Sequence, residues 1–117
     1  LLVREGNNLH HELHLSFPDA ALGTTVEVPT VSGKVRMKID PGTQSGKTLR
    51  LKGKGLPSLE GYGQGDQLIH VAVWTPKSLT NDEKEILEKL NASDRFKPRP
   101  GAGDKSFFDK VKDLFQN

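Results

Sequence analysis

Residues 8 to 17, "NLHHELHLSF", alternate apolar and polar with a period of two. Leu9, His11, Leu13, Leu15 and Phe17 fall on one side, and His10, Glu12, His14 and Ser16 on the other, the pattern of a half-buried strand. "PDAALG" then reads as a helical turn, with Pro18 at its start and Gly23 at its end. "TTVEVPT" and "KVRMKI" read as two strands joined through "VSG", with Val26 and Val28 facing the same way as Val35, Met37 and Ile39. The turn "DPGTQSG" leads to "KTLRLKG", where Leu49 and Leu51 alternate with Arg50 and Lys52. A glycine-rich connector, "GLPSLEGYGQGD", precedes "QLIHVAVW", which is apolar at nearly every position and predicts a strand that is central or buried on both faces.

The period changes after Thr75-Pro76. In "LTNDEKEILEKLN", Thr80 stands three residues before Glu83, the spacing of a capping box, and acids fill the first turn. Ile86, Leu87 and Leu90 then form an apolar stripe at helical spacing. Residues 92–104, "ASDRFKPRPGAGD", read as a linker rich in Pro, Gly and charge. "SFFDKVKDLFQN" predicts a terminal helix capped by Ser106, with Phe107, Phe108, Val111, Leu114 and Phe115 on one face. No internal repeat is evident. The pattern predicts a mainly β fold, a small β-sandwich of short antiparallel strands over 1–76, followed over 77–117 by one or two helices.

Composition narrows the function. The 117 residues suffice for one modest domain with an appended element, and twelve glycines and seven prolines favour short strands and turns. A net charge of +2 gives no overall field for nucleic acid or membrane. No apolar run approaches the ~20 residues of a membrane span. Cysteine is absent from the chain, which removes disulfides and thiolate metal sites. The opening Leu1-Leu2-Val3, without an initiator Met, suggests a fragment of something longer.

Three stretches imitate known chemistry and fail on spacing. "SGKT" at 45–48 ends like a phosphate-binding loop, but Pro41 occupies the position of its first glycine and an alternating strand follows in place of a helix. "HHELH" at 10–14 is one residue short of the zinc-protease pair; as a strand it leaves His10, Glu12 and His14 on the outer face, with no metal assigned. "GYGQGD" has Asp66 where a dinucleotide fingerprint needs its third glycine, and reads as a flexible hairpin connection. His70 reads as a satisfied histidine in a buried strand. No Ser, His and acid are grouped as a nucleophile, so the chain does not read as an enzyme.

Two surfaces remain. Lys47, Arg50, Lys52 and Lys54 form a basic ladder whose Arg50 and Lys52 share a strand face and would receive an acidic peptide or a phosphate backbone, although most such ladders are simply solvated faces. Nucleic acid is disfavoured because Trp74 and Tyr62 are too few for a stacking platform. The terminal segment is shorter than the ~12–15 residues at which isolated helices become stable. Its five large apolar side chains are each worth ~1.5–3 kcal/mol on burial, so they require cover. Either the chain's own sheet or a second subunit supplies that cover, and the long linker favours the subunit.

Taken in order, "REGNNL", "AALG", "VEVPT", "GKVRMKI", "PGTQSGKTLRLKGKGLP", "GDQLIHVAV", "LTNDEKEILEKL" and "KSFFDKVKDLF" resemble the C-terminal part of the bacterial DnaJ co-chaperone family, over essentially the whole chain. The resemblance implies the second of that family's client-binding β domains and its dimerisation region, in a cytoplasmic homodimer. The family's His-Pro-Asp tripeptide is absent, so stimulation of a DnaK-type chaperone would belong to a J-domain outside this sequence. Its Cys-x-x-Cys-x-Gly-x-Gly zinc repeats are also absent, so no cofactor is expected here. The partners implied are unfolded polypeptides and, mainly through the J-domain, a DnaK-type chaperone; neither nucleic acid nor membrane is implied.

By analogy with the family's better-described groove, extended clients would add along a strand edge. Leu15 and Phe17 on one strand and Val26 and Val28 on another would contact them, although such residues are also what a sandwich core contains. Ile86, Leu87 and Leu90, with Phe107, Phe108, Val111, Leu114 and Phe115, would form the subunit interface. The alternatives are an adaptor that takes the acidic tail of a DnaK-type chaperone on Arg50 and Lys52, and a purely structural dimerisation module.

Overall fold

The computed structural model describes residues 2–58 and 63–100. The chain divides into two compact units, Leu1–Pro76 and Lys77–Asn117. In the first, a four-stranded sheet has the order β1-β2-β6-β5, built from β1 (Leu2–Glu5), β2 (Asn8–Ser16), β6 (Gln67–Trp74) and β5 (Thr48–Leu51). A two-stranded sheet pairs β3 (Thr24–Thr30) with β4 (Gly33–Ile39). The short helix α1 (Phe17–Leu22) links β2 to β3.

The expected strands form and β6 is central, with Gln67, Ile69 and Val71 buried on one face and Leu68, His70 and Ala72 only half-buried on the other. Three of the four strand pairs are antiparallel. The fourth, β2 with β6, runs parallel from Leu9↔Gln67 to Ser16↔Trp74. Parallel neighbours need a long crossover, and here it carries α1, β3, β4 and β5. β1 is an addition to the sequence reading: "LVRE" has no alternation of its own and becomes a strand by pairing Leu2↔His11 through Glu5↔Asn8.

Between the two sheets lies the core, with Leu15 and Val71 from one side, Ile39 from the other and Ala20 from α1. Leu13, Leu49 and Val73 pack against it from the large sheet, and Val26 and Met37 from the small one. Gln67, fully buried, crosses the gap and donates from Nε2 to the Pro29 carbonyl at 2.7 Å. Of the expected client contacts, Leu15 is 3% exposed and Val28 0%, which places both in the core. Phe17 also departs from the alternation. Ser16 caps α1 by accepting from the Asp19 amide at 3.1 Å, which turns the chain out of the strand and leaves Phe17 43% exposed as the first helical residue.

Three glycines, Gly55, Gly65 and Gly23, are required by space. A Cβ on Gly65 would overlap the Asn7 backbone, where the β1–β2 turn crosses the connector. The Gly55 amide donates to the Gly65 carbonyl at 2.9 Å, and the Leu56 amide to the Asn7 carbonyl at 2.8 Å. "GQGD" is therefore a packed junction where the sequence suggested a flexible connection. Gly23 ends α1 at φ +83°, and a Cβ there would press on the Ile39 carbonyl and Pro41 at 3.0 Å. The Walker-like stretch is a turn tied to β6: the Gly46 amide donates to the Val71 carbonyl, and the Val71 amide to Lys47, both at 2.8 Å.

In the second unit, α2 (Asn81–Asn91) begins at the predicted capping box. The Thr80 hydroxyl accepts from the Glu83 amide at 3.2 Å, and the Glu83 carboxylate accepts from the Thr80 amide at 2.8 Å. The Thr80 amide first, and the Thr80 hydroxyl second, hold the Glu83 carboxyl below its ordinary value. A short 3-10 turn follows over Asp94–Phe96. Among the described residues, no helix is long and apolar enough to cross a membrane.

Candidate functional site

Strand edges offer backbone groups to a partner, so the positions of free edges decide where an extended peptide can add. β2 is paired with β6 from Leu9 to Ser16 but with β1 only over Asn8–His11, and β5 pairs with β6 over Gln67–His70. The parity of β3 follows from Pro29, which has no N–H to give its neighbour β4. Its carbonyl is taken from outside the hairpin by Gln67. In an antiparallel strand the N–H and C=O of one residue point to the same side, and the sides alternate. Val26 and Val28 therefore face β4 with their backbone groups, whereas Thr25 and Glu27 point theirs outward. Among the described residues no backbone bond reaches Thr25 or Glu27 from that side.

This outward edge has an apolar neighbour at its start. Leu22, 77% exposed, borders a hollow of about 340 Å³ with Gly23, Thr24, Thr25, Lys38, Ile39 and Pro41. Gln67 closes the other end by occupying Pro29. The edge thus presents two donors and two acceptors, with an oily seat beside the first pair.

Of the expected client residues, Val26 is half-buried and packs on the core, while Phe17 lies at the surface of α1. Leu22, Thr25 and Glu27 were missed. A period-two pattern shows which side chains face inward, whereas the direction of the backbone groups depends on pairing, and only Pro29 hinted at it.

The basic ladder does not form one strand face. β5 stops at Leu51, so Lys52 lies in the turn beyond it. Arg50 donates to Asp66 Oδ2 at 2.9 Å, and Asp66 Oδ1 accepts from the Gly53 amide at 2.9 Å. The charge of Arg50 is thereby met within the chain. His14 Nε2 lies 3.2 Å from Glu12 Oε1, and its ring meets the Trp74 ring edge-on at 6.2 Å. Among the described residues, no group of three or more histidine or carboxylate ligands is placed to hold a metal. On α2, Ile86 is 59% exposed, Leu87 39% and Leu90 36%. Phe107, Phe108, Val111, Leu114 and Phe115 lie outside the described residues.

Comparison with known proteins agrees with this architecture. The chain is 56% identical over 114 residues to the chaperone protein DnaJ of Salinibacter ruber, covering 96% of this chain and 29% of that protein. It is 53% identical over 114 residues to the DnaJ of Bacteroides thetaiotaomicron, covering 97% of this chain and 28% of the relative. For the DnaJ of Syntrophotalea carbinolica the identity is 49% over 115 residues, covering 98% and 30%. The chain thus spans less than a third of these relatives' length. The family model of the DnaJ C terminal domain matches residues 1–76, the span of the two packed sheets, and the chain belongs to that family.

Proposed function

We propose that this chain is a client-binding and dimerising piece of a DnaJ-type co-chaperone, acting without catalysis in support of a DnaK-type chaperone. The observation that carries the reading is the open edge of β3, where Thr25 and Glu27 offer backbone groups beside the exposed Leu22. An unfolded segment adding there at the ~4.8 Å strand spacing would satisfy those groups and seat an apolar side chain in the adjoining hollow. The edge recognises the backbone, which every extended polypeptide has, so it suits a protein that handles many sequences. Its shortness keeps each contact weak and releasable. Two such arms joined in a dimer would act together through effective concentration.

The exposed stripe of Ile86, Leu87 and Leu90, and the apolar face of residues 107–115 in the sequence, support the dimer.

Titration of an extended apolar peptide, followed by NMR, tests the client site. Shifts are expected along Thr24–Glu27 and at Leu22. Thr25→Pro should weaken binding at least ~10-fold by removing one outward N–H, and the native Pro29 shows that the strand accepts proline at this parity. Unchanged affinity would sink the client site. Sedimentation with and without residues 105–117 tests the dimer; monomers in both cases would remove it and leave the client site standing.

A further inference from the structure

On the outer face of the large sheet, one residue from each of the four strands joins a continuous chain of side-chain contacts. Glu5 Oε1 on β1 lies 3.0 Å from His10 Nε2 on β2. His10 Nδ1 lies 2.7 Å from His70 Nε2 on β6, and His70 Nδ1 lies 3.3 Å from the Thr48 hydroxyl on β5. The two rings are nearly parallel, with planes 9° apart and centroids 5.0 Å apart. His10 and His70 are both half-buried, and with His11 and His14 they border one hollow on the sheet.

The chain of contacts sets a proton count. With both rings neutral, Glu5 accepts from His10 Nε2–H, His10 Nδ1 accepts from His70 Nε2–H, and His70 Nδ1 accepts from the Thr48 hydroxyl. Every contact is satisfied. With one proton added, His10 Nδ1–H donates to His70 Nε2, and His70 Nδ1–H donates to Thr48. Every contact is again satisfied, and the positive charge sits beside the Glu5 carboxylate. A second proton places N–H against N–H across the 2.7 Å contact and two like charges at ring distance. That contact then has no acceptor.

We infer that His10 and His70 form a one-proton clasp that fastens the four strands across this face near neutral pH and releases in acid. The sign follows from the count: the joined rings hold at most one added proton and the separated rings hold two. Each pH unit of acidification therefore favours separation about tenfold once the separated rings are doubly charged. The other titratable groups bordering the pair are Glu12, in register with His70, and His11 and His14 on β2, with Arg50 on β5. On β2, Glu12 Oε1 lies 3.2 Å from His14 Nε2, and on β5 Arg50 is bonded to Asp66 at 2.9 Å. From β1, Glu5 balances the first proton and supplies nothing further for the second. Val3, opposite His10, and Ala72 add no charge.

Imidazole-detected NMR of the chain between about pH 8 and pH 5, the range in which histidine changes charge, tests the clasp. His10 and His70 should take up their two protons in two separated steps. Amide exchange in β1 and β5, corrected for its intrinsic pH dependence, should quicken at least ~10-fold across the second step. His70→Gln should turn the His10 titration into one step and abolish the acid-dependent part of the exchange. If that variant fails to fold at pH 7.5, His10→Gln provides the same comparison from the other ring. Two independent single-proton curves in the unmodified chain, or equal exchange ratios in chain and variant, would overturn the proposal.

Discussion

The β unit and helix α2 keep their apolar residues in opposite places. In the β unit they are sandwiched: Leu15, Val28, Ile39, Ile69 and Val71 are each no more than 3% exposed. In α2 no residue is buried, and the apolar stripe stands at 36–59% exposure. One region is made by contacts between residues far apart in sequence, the other by bonds within its own first turn. A fold of the first kind fails when a distant neighbour is changed. A helix of the second kind fails when its cap is changed, and its stripe remains available to a partner.

Truncation of the same residue type sharpens this contrast. Leu15→Ala should cost the β unit about 3 kcal/mol in urea unfolding, through lost burial and the cavity left behind. Leu87→Ala, at 39% exposure, should change unfolding by less than about 1 kcal/mol while raising the dissociation constant for self-association. Equal costs at the two positions would remove the distinction. Gly65→Ala should approach the Leu15 effect at about 2–3 kcal/mol, because its new methyl meets Asn7 backbone and not a movable side chain. The readout is the same urea midpoint.

Smaller effects belong to α2. Thr80→Ala should remove about 1 kcal/mol from the helix alone, visible as lower helical chemical shifts over Asn81–Lys84 with β-unit shifts unchanged. Glu83 yields the smallest effect. Its carboxyl is held below the ordinary value of 4.5 by the Thr80 amide first and the Thr80 hydroxyl second. A depressed carboxyl stabilises the folded helix fully above the ordinary value, and that contribution is lost as pH falls through the lowered one. Helicity of α2 should therefore decline below about pH 4.5 in the native chain, and Glu83→Gln should show no such step. An identical acid profile in the variant would assign the loss to other carboxylates.

The open edge of β3 is narrow, bounded by the hollow at Leu22 and by Gln67 at Pro29. Its proposed client contacts are consequently backbone contacts. Side-chain substitutions at Val26 and Val28, which the sequence suggested as binding residues, would act first through the core.

The sequence by itself determined the local elements. Alternation placed Leu9, Leu13 and Leu15 on the inner face of β2, the Thr80–Glu83 spacing located the start of α2, and spacing alone dismissed the Walker-like turn. These features repeat over a few residues, so neighbouring positions suffice to read them. The tertiary structure alone decided what depends on pairing across the chain: the strand β1, the parallel match of β2 with β6, the outward parity of Thr25 and Glu27, and the meeting of His10 with His70 across 60 residues. A side chain's face follows from period two within its own strand. The partner of a backbone amide or an imidazole is set by which strand lies alongside, and no local pattern encodes that choice.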